Sequence, residues 1–144
     1  MFRGNHPTRV DEKGRLKLPA DYKRRVDKEY GDKFYITSKD GKRAEIWPLK
    51  EWEAIEAKLA EIPNMNPVKQ RFLDVTNYYG QMAEMDPQGR LLMPQILRDS
   101  AKVTGDVVVL GMQTFLAVMN REEFEAQVPP LTATDLAALA DLGL

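Results

Sequence analysis

The stretches VDEKGRLKLP at 10–19 and MDPQGRLLMP at 85–94 carry one pattern twice, with Asp, Gly, Arg, Leu and Pro recurring in register at an offset of 75. Self-similarity of this kind marks a chain built from copies of one supersecondary unit. Asp11-Glu12-Lys13-Gly14 and Asp86-Pro87-Gln88-Gly89 place Asp first and Gly fourth, the signature of a type I turn, and Pro87 occupies a position where a fixed φ is welcome. Both read as hairpin tips. In the arm after the first tip, Leu16 and Leu18 alternate with Arg15 and Lys17, so the strand buries one face and presents a basic one. The second arm repeats the buried face as Leu91 and Met93 but has Leu92 where the first has Lys17. Pro19 and Pro94 stop the arms and suit the first turn of a short helix.

Working outward, Tyr22, Val26 and Tyr30 recur every four residues and give the first of these helices an apolar stripe beside Lys23, Arg24 and Arg25. A second hairpin follows, with 34–37 and 44–47 flanking Asp40-Gly41, and its copy is 107–110 and 115–119 around Gly111. Pro48 opens a helix over roughly 49–62, with Trp52, Ile55, Leu59 and Ile62 on one face. Asn120 can cap the matching helix, whose apolar positions are Phe124 and Val128. Residues 63–67, bounded by two prolines, form a linker, and 68–79 reads as a helix with Val68, Phe72, Val75 and Tyr79 aligned. The division is therefore 1–62, 68–130 and a tail at 131–144, where Thr134 can cap a helix too short to be stable alone. The expected fold class is α+β and β-rich, with two pseudo-symmetric modules packed together.

Composition narrows the chemistry. A chain of 144 residues with 43% hydrophobic content can bury a core. It has no cysteine and one histidine, so disulfides, thiolate metal sites, a catalytic thiol and a histidine cluster are excluded. Adjacent acids such as Asp11-Glu12 and Glu122-Glu123 diverge on a strand or helix and make poor acid/base partners. Neither enzyme activity nor a cofactor is expected. No apolar run approaches a membrane span and the first ten residues lack a signal-peptide core, which points to the cytoplasm. Net charge is −1, but residues 1–43 hold 13 Lys/Arg against 7 Asp/Glu while the remainder holds 8 against 15. The two ends must meet different partners or surfaces.

The opening Met1-Phe2-Arg3-Gly4, the doubled Asp-x-x-Gly-Arg motif with its closing prolines, and the run from Ile46-Trp47-Pro48 to Trp52 together resemble the MraZ family over about residues 1–128. That resemblance implies tandem modules similar to the SpoVT/AbrB swapped-hairpin fold, joined in an intramolecular barrel. It further implies a nucleoid-associated transcriptional regulator, a repressor in the family expectation. Such a protein binds repeated promoter elements before the division and cell-wall gene cluster as a ring-shaped homo-oligomer. The family's motif positions fall on Asp11 with Arg15 and on Asp86 with Arg90.

The candidate DNA-binding residues are Arg15, Lys13, Lys17, Arg3, Arg9 and Arg90, with Asp11, Gly14, Asp86 and Gly89 bracing the turns. A planar guanidinium on a rigid strand edge suits guanine edges and phosphates, whereas flanking cations orient a protein on the duplex without reading sequence. The plainer reading stays open: each Arg can fold onto the Asp four residues earlier and only stiffen its own hairpin. Because Pro87, Gln88 and Leu92 replace Glu12, Lys13 and Lys17, the two tips are not expected to contribute equally. The tryptophans, Phe34, Phe115 and Phe124 are assigned to packing, Lys23 to Arg25 to a solvated face and His6 to an exposed loop. The alternative function is a ring-forming structural or protein-interaction module without sequence-specific DNA binding.

Overall fold

A computed structural model describes residues 1–144. The order is β1 (Asn5–Val10), β2 (Arg15–Lys17), α1 (Ala20–Glu29), β3 (Lys33–Thr37), β4 (Ala44–Pro48), α2 (Leu49–Ala60), α3 (Pro67–Tyr78), β5 (Gln81–Glu84), β6 (Arg90–Leu92), α4 (Gln95–Ser100), β7 (Gly105–Gly111), β8 (Leu116–Asn120), α5 (Arg121–Gln127) and α6 (Ala133–Asp141). The eight strands form one antiparallel sheet in the order β5-β3-β4-β8-β7-β1-β2-β6. Its two edge strands, β5 and β6, are joined by their own tip, where Asp86 N–H donates to Arg90 C=O at 3.0 Å, so the sheet nearly closes on itself. Near-closure removes most of the exposed edge that an open sheet would offer to other chains.

Strands of the two repeats alternate within this sheet. β1 pairs with β7 while its counterpart β5 pairs with β3, so each repeat lends its first strand to the other. On the pseudo-two-fold axis lie β2 with β6, in the register Leu16↔Leu91, and β4 with β8. Leu18 N–H donates to Gly89 C=O at 2.9 Å and Met93 N–H to Gly14 C=O at 2.8 Å, so each arm ends by bonding to the other repeat's tip. This is the swapped-hairpin, β-rich α+β architecture. A single core gathers residues from both repeats, with Leu16, Phe34, Ile36, Leu91, Met93 and Val109 at 0% exposure.

The helices close the outside. Pro19, Pro48 and Pro94 stand immediately before α1, α2 and α4, where a missing N–H costs nothing. Tyr22 and Val26 of α1 are buried, and Tyr22 donates its hydroxyl to the Arg3 and Gly4 carbonyls. That contact, with the Phe2 ring edge-on to Tyr22 and the bridge Phe2↔Gln113, seats the N-terminal segment. Trp47 of β4 stacks on Phe115 at 4.3 Å, and Trp52 of α2 stacks on Tyr35 at 4.8 Å and meets Trp47 edge-on, which fastens α2 to the sheet. No helix is long and apolar enough to cross a membrane.

Several local expectations are corrected. His6 is half-buried in β1, edge-on to Tyr22, because the alternation that buries Val10 turns positions 6 and 8 inward as well. α2 ends at Ala60, leaving Ile62 beyond it and exposed. Val68 faces solvent; α3 instead buries Lys69, whose ammonium donates to Ile62 C=O and Asn64 Oδ1, and Thr76, whose hydroxyl donates to Phe72 C=O. Both polar groups are satisfied, so hydrophobicity alone mislabels the face. Phe124 is only half-buried and Val128 lies past α5, exposed. Thr132, not Thr134, caps α6 through a capping box with Asp135.

Because Leu16 and Leu91 oppose each other on the axis, Leu16→Ala should cost about 2–5 kcal/mol in a denaturant titration, the range for a core leucine. Leu16→Ala with Leu91→Ala should be non-additive, since the two share one cavity. Simple additivity would contradict the swapped pairing.

Candidate nucleic-acid interface

Each tip is a self-contained electrostatic device. Asp11 C=O accepts from Gly14 N–H at 2.9 Å, closing the turn, while its carboxylate accepts from Lys13 N–H at 3.0 Å, Arg15 N–H at 2.9 Å and Arg15 Nε at 2.9 Å. The second tip repeats this: Asp86 accepts from Gln88 N–H, Arg90 N–H and Arg90 Nε, each at 2.9 Å. Hydrogen bonding from the Arg15 N–H foremost, with its guanidinium and the Lys13 N–H, holds the Asp11 carboxyl below its ordinary value against the opposing effect of desolvation. The Arg90 N–H and guanidinium act in the same way on Asp86. Gly14 and Gly89 have φ of +85° and +77°, a conformation that favours glycine.

Each arginine folds onto the Asp four residues earlier, but that contact does not consume it. Only Nε of Arg15 is engaged, its terminal nitrogens have no hydrogen-bond partner within the chain, and its side chain stays 32% exposed. Arg90 is tied further, because one terminal nitrogen donates to Gln88 Oε1 at 2.7 Å. Anchoring Nε fixes the plane of the guanidinium while leaving the outer fork of Arg15 free, which is the arrangement planar recognition needs.

Strand register decides which cations meet. In β2 and β6, Leu16 and Leu91 point inward, so Arg15, Lys17, Arg90 and Leu92 point outward; Arg15 lies opposite Leu92 and Lys17 opposite Arg90. Val10↔Leu16 between β1 and β2 puts Arg9 level with Lys17 on the same outer face. The result is a row of cations, Arg9, Lys17 and Arg90, crossing three adjacent strands, with Arg15 one step along and Lys13 on the exposed tip. Arg9 is partly neutralised by Asp106 at 2.8 Å. Arg3 is not brought to this row: it precedes β1 at the end away from the tip, six residues before Arg9, or about 20 Å of extended strand.

The structure also gives a shared place to Arg98, which the sequence reading did not single out, and to Lys23, which it assigned to a solvated face. A Cβ on Gly14 would collide with the Arg98 guanidinium of α4, and one on Gly89 would meet the Lys23 side chain of α1, so each tip is roofed by a cation from the other repeat. Lys23 and Arg98 are themselves 75 apart, and extending the repeat offset would have paired them. The rest of the basic run on α1 is neutralised locally, Arg24 by Asp21 and Arg25 by Glu29, while Lys23 pairs with Asp27. Opposite Arg9 and Lys17 under the pseudo-symmetry stand Glu84 and Leu92, so the second repeat brings Arg90 to the outer face where the first brings Arg9, Arg15 and Lys17.

Depressed carboxyl values in the folded state set the sign of the acid response. The stabilisation from Asp11 and Asp86 is fully present above the ordinary value of 3.8 and is lost as pH falls through the lower folded values. Asp11→Asn with Asp86→Asn should therefore lower stability near neutrality and flatten the acid limb below that value in pH-dependent melting. An acid limb as steep as the parent's would refute the bracing.

The chain matches the family model described as "MraZ protein, putative antitoxin-like" over residues 1–75 and again over 80–141. It is 69% identical to a protein of Acidobacterium capsulatum and 51% identical to one of Koribacter versatilis, both alignments covering 100% of each chain. A protein of Chromobacterium violaceum is 31% identical over 91% of this chain and 88% of its own length. All three relatives bear the name Transcriptional regulator MraZ. With both tips, both arms and both closing prolines inside the matched stretches, the chain belongs to the MraZ family.

Proposed function

We propose that the protein is a sequence-specific DNA-binding transcriptional regulator that grips the duplex with the outer face of β1, β2 and β6. The reading rests on one observation above all: Arg9, Arg15, Lys17 and Arg90 share that face, with Lys13 on the exposed tip beside it, although net charge is −1. Arg15 is the base-reading residue, its free fork aimed outward from a braced strand. Lys13, Lys17 and Arg9 meet phosphates and set the register on the duplex. Arg90 contributes less, because Gln88 and Asp86 occupy two of its nitrogens. Arg3 acts at most at the edge of the footprint.

One such face makes few contacts, so useful affinity comes from several subunits engaging repeated sites together. Self-association into a closed ring, repression of the division and cell-wall cluster, a place on the nucleoid and the absence of catalysis belong to the same proposal as what the family resemblance implies; the names of the relatives support the transcriptional-regulator part alone.

Selection of bound sequences from random duplex DNA tests the proposal and supplies a specific site. If about six phosphates are neutralised per assembly, affinity for that site should fall by about 10³-fold between 50 and 200 mM salt. Arg15→Ala should remove discrimination at one position at a cost of about 1–3 kcal/mol, whereas Lys17→Ala should weaken all sequences alike and reduce the salt slope by about one. Arg90→Ala should cost less than Arg15→Ala. Failure to enrich any sequence, together with a flat salt response, would favour the structural-ring alternative.

A further inference from the structure

Two unsatisfied surfaces of this chain fit each other. The first is α6, where Leu136, Leu139 and Leu142 recur every three residues and fall on one side of the helix. A complete capping box fixes its start, yet the helix buries none of its residues, and Leu136 and Leu142 are 55% and 77% exposed. Nine residues are too few to hold a helix in water without an apolar partner. The second surface is the outer face of β2 and β6, where Leu92 is 52% exposed with Arg15 directly opposite and Lys17 and Arg90 beside it.

Charge selects the pairing. The tail at 131–144 has Asp135 and Asp141 and no Lys or Arg, so its only charged side chains are acidic. The face around Leu92 is an apolar centre with a cationic rim, and the ammonium of Lys17 has no acidic partner within the chain. Other sites lack this combination. The basic run of α1 is paired with its own acids, and the exposed Ile62, Met65 and Val68 stand beside Glu61, Asn64 and Asn66, with Lys69 turned inward.

We propose that α6 of one copy docks on the β2–β6 face of a second copy, its leucines over Leu92 and its carboxylates among Arg15, Lys17 and Arg90, and that this contact competes with DNA. The competition rests on the DNA-binding reading given above; the docking does not. A chain so equipped carries its own inhibitor. Free subunits cover one another's cationic faces, and only a duplex that several subunits grip together displaces the tails.

The chain has no cysteine, so introduced thiols report directly. Full-length Leu92→Cys is mixed with full-length Leu139→Cys and oxidised, with Thr134→Cys, on the other side of α6, as control. The mixed disulfide should form about tenfold faster with Leu139→Cys than with Thr134→Cys, the rate ratio expected when one face is seated. Equal rates would overturn the docking. The oxidation is repeated with the selected duplex, whose binding to the same variants is read by fluorescence anisotropy. A bound duplex should suppress the disulfide; a disulfide that persists while the duplex is bound overturns the competition. A fast, face-selective disulfide with no duplex bound would sustain the docking while removing the DNA-binding reading.

Discussion

The structure depends on the pairing of two three-residue strands, β2 and β6, across the pseudo-two-fold axis. Neither strand could persist alone. Each is held because Leu16 and Leu91 face each other in the core and because the ends of both arms bond to the opposite tip, Leu18 to Gly89 and Met93 to Gly14. Burying two leucines and satisfying four backbone groups at one crossing couples the repeats more tightly than any surface contact between separate modules could. The tips gain their stiffness from the same crossing. A tip whose base is locked into the other repeat can project charge without paying the conformational entropy of a free loop.

That constraint explains the distribution of chemistry. The inward positions of both arms must be apolar in both copies, and they are: Leu16 and Leu18 in one, Leu91 and Met93 in the other. The outward positions carry no such obligation and have diverged, Lys17 against Leu92 and Arg9 against Glu84. Pseudo-symmetry in the core thus supports asymmetry on the surface. The two Asp–Arg braces persist on both sides because they serve the turn itself, whatever the outer fork of each arginine goes on to contact.

Much of this was legible in the residues. Asp first and Gly fourth gave the tips, alternation gave the buried side of each arm, and Pro19, Pro48 and Pro94 gave the starts of α1, α2 and α4. What alternation cannot give is the partner: it tells which side of an arm is buried, but not that β1 pairs with β7 of the other repeat instead of β3 of its own. The swap entered the reading through the family resemblance. The same gap hid the row formed by Arg9, Lys17 and Arg90, since residues from three strands become neighbours only once register is known. Lys69 and Thr76 escaped because a buried polar residue with satisfied hydrogen bonds leaves no hydrophobic trace. Arg98 escaped because its role, roofing Gly14, exists only across the two repeats.

The central claim is that DNA lies against the outer face of β1, β2 and β6, and lysine footprinting tests it most directly. The free protein and its complex with a selected duplex would be acetylated under identical conditions and compared by mass spectrometry. Lys17, exposed on that face, and Lys13, exposed on the adjoining tip, should lose reactivity on binding, while Lys50 and Lys58, exposed on α2, should keep theirs. Protection of Lys50 and Lys58 with Lys13 and Lys17 still reactive would contradict the account.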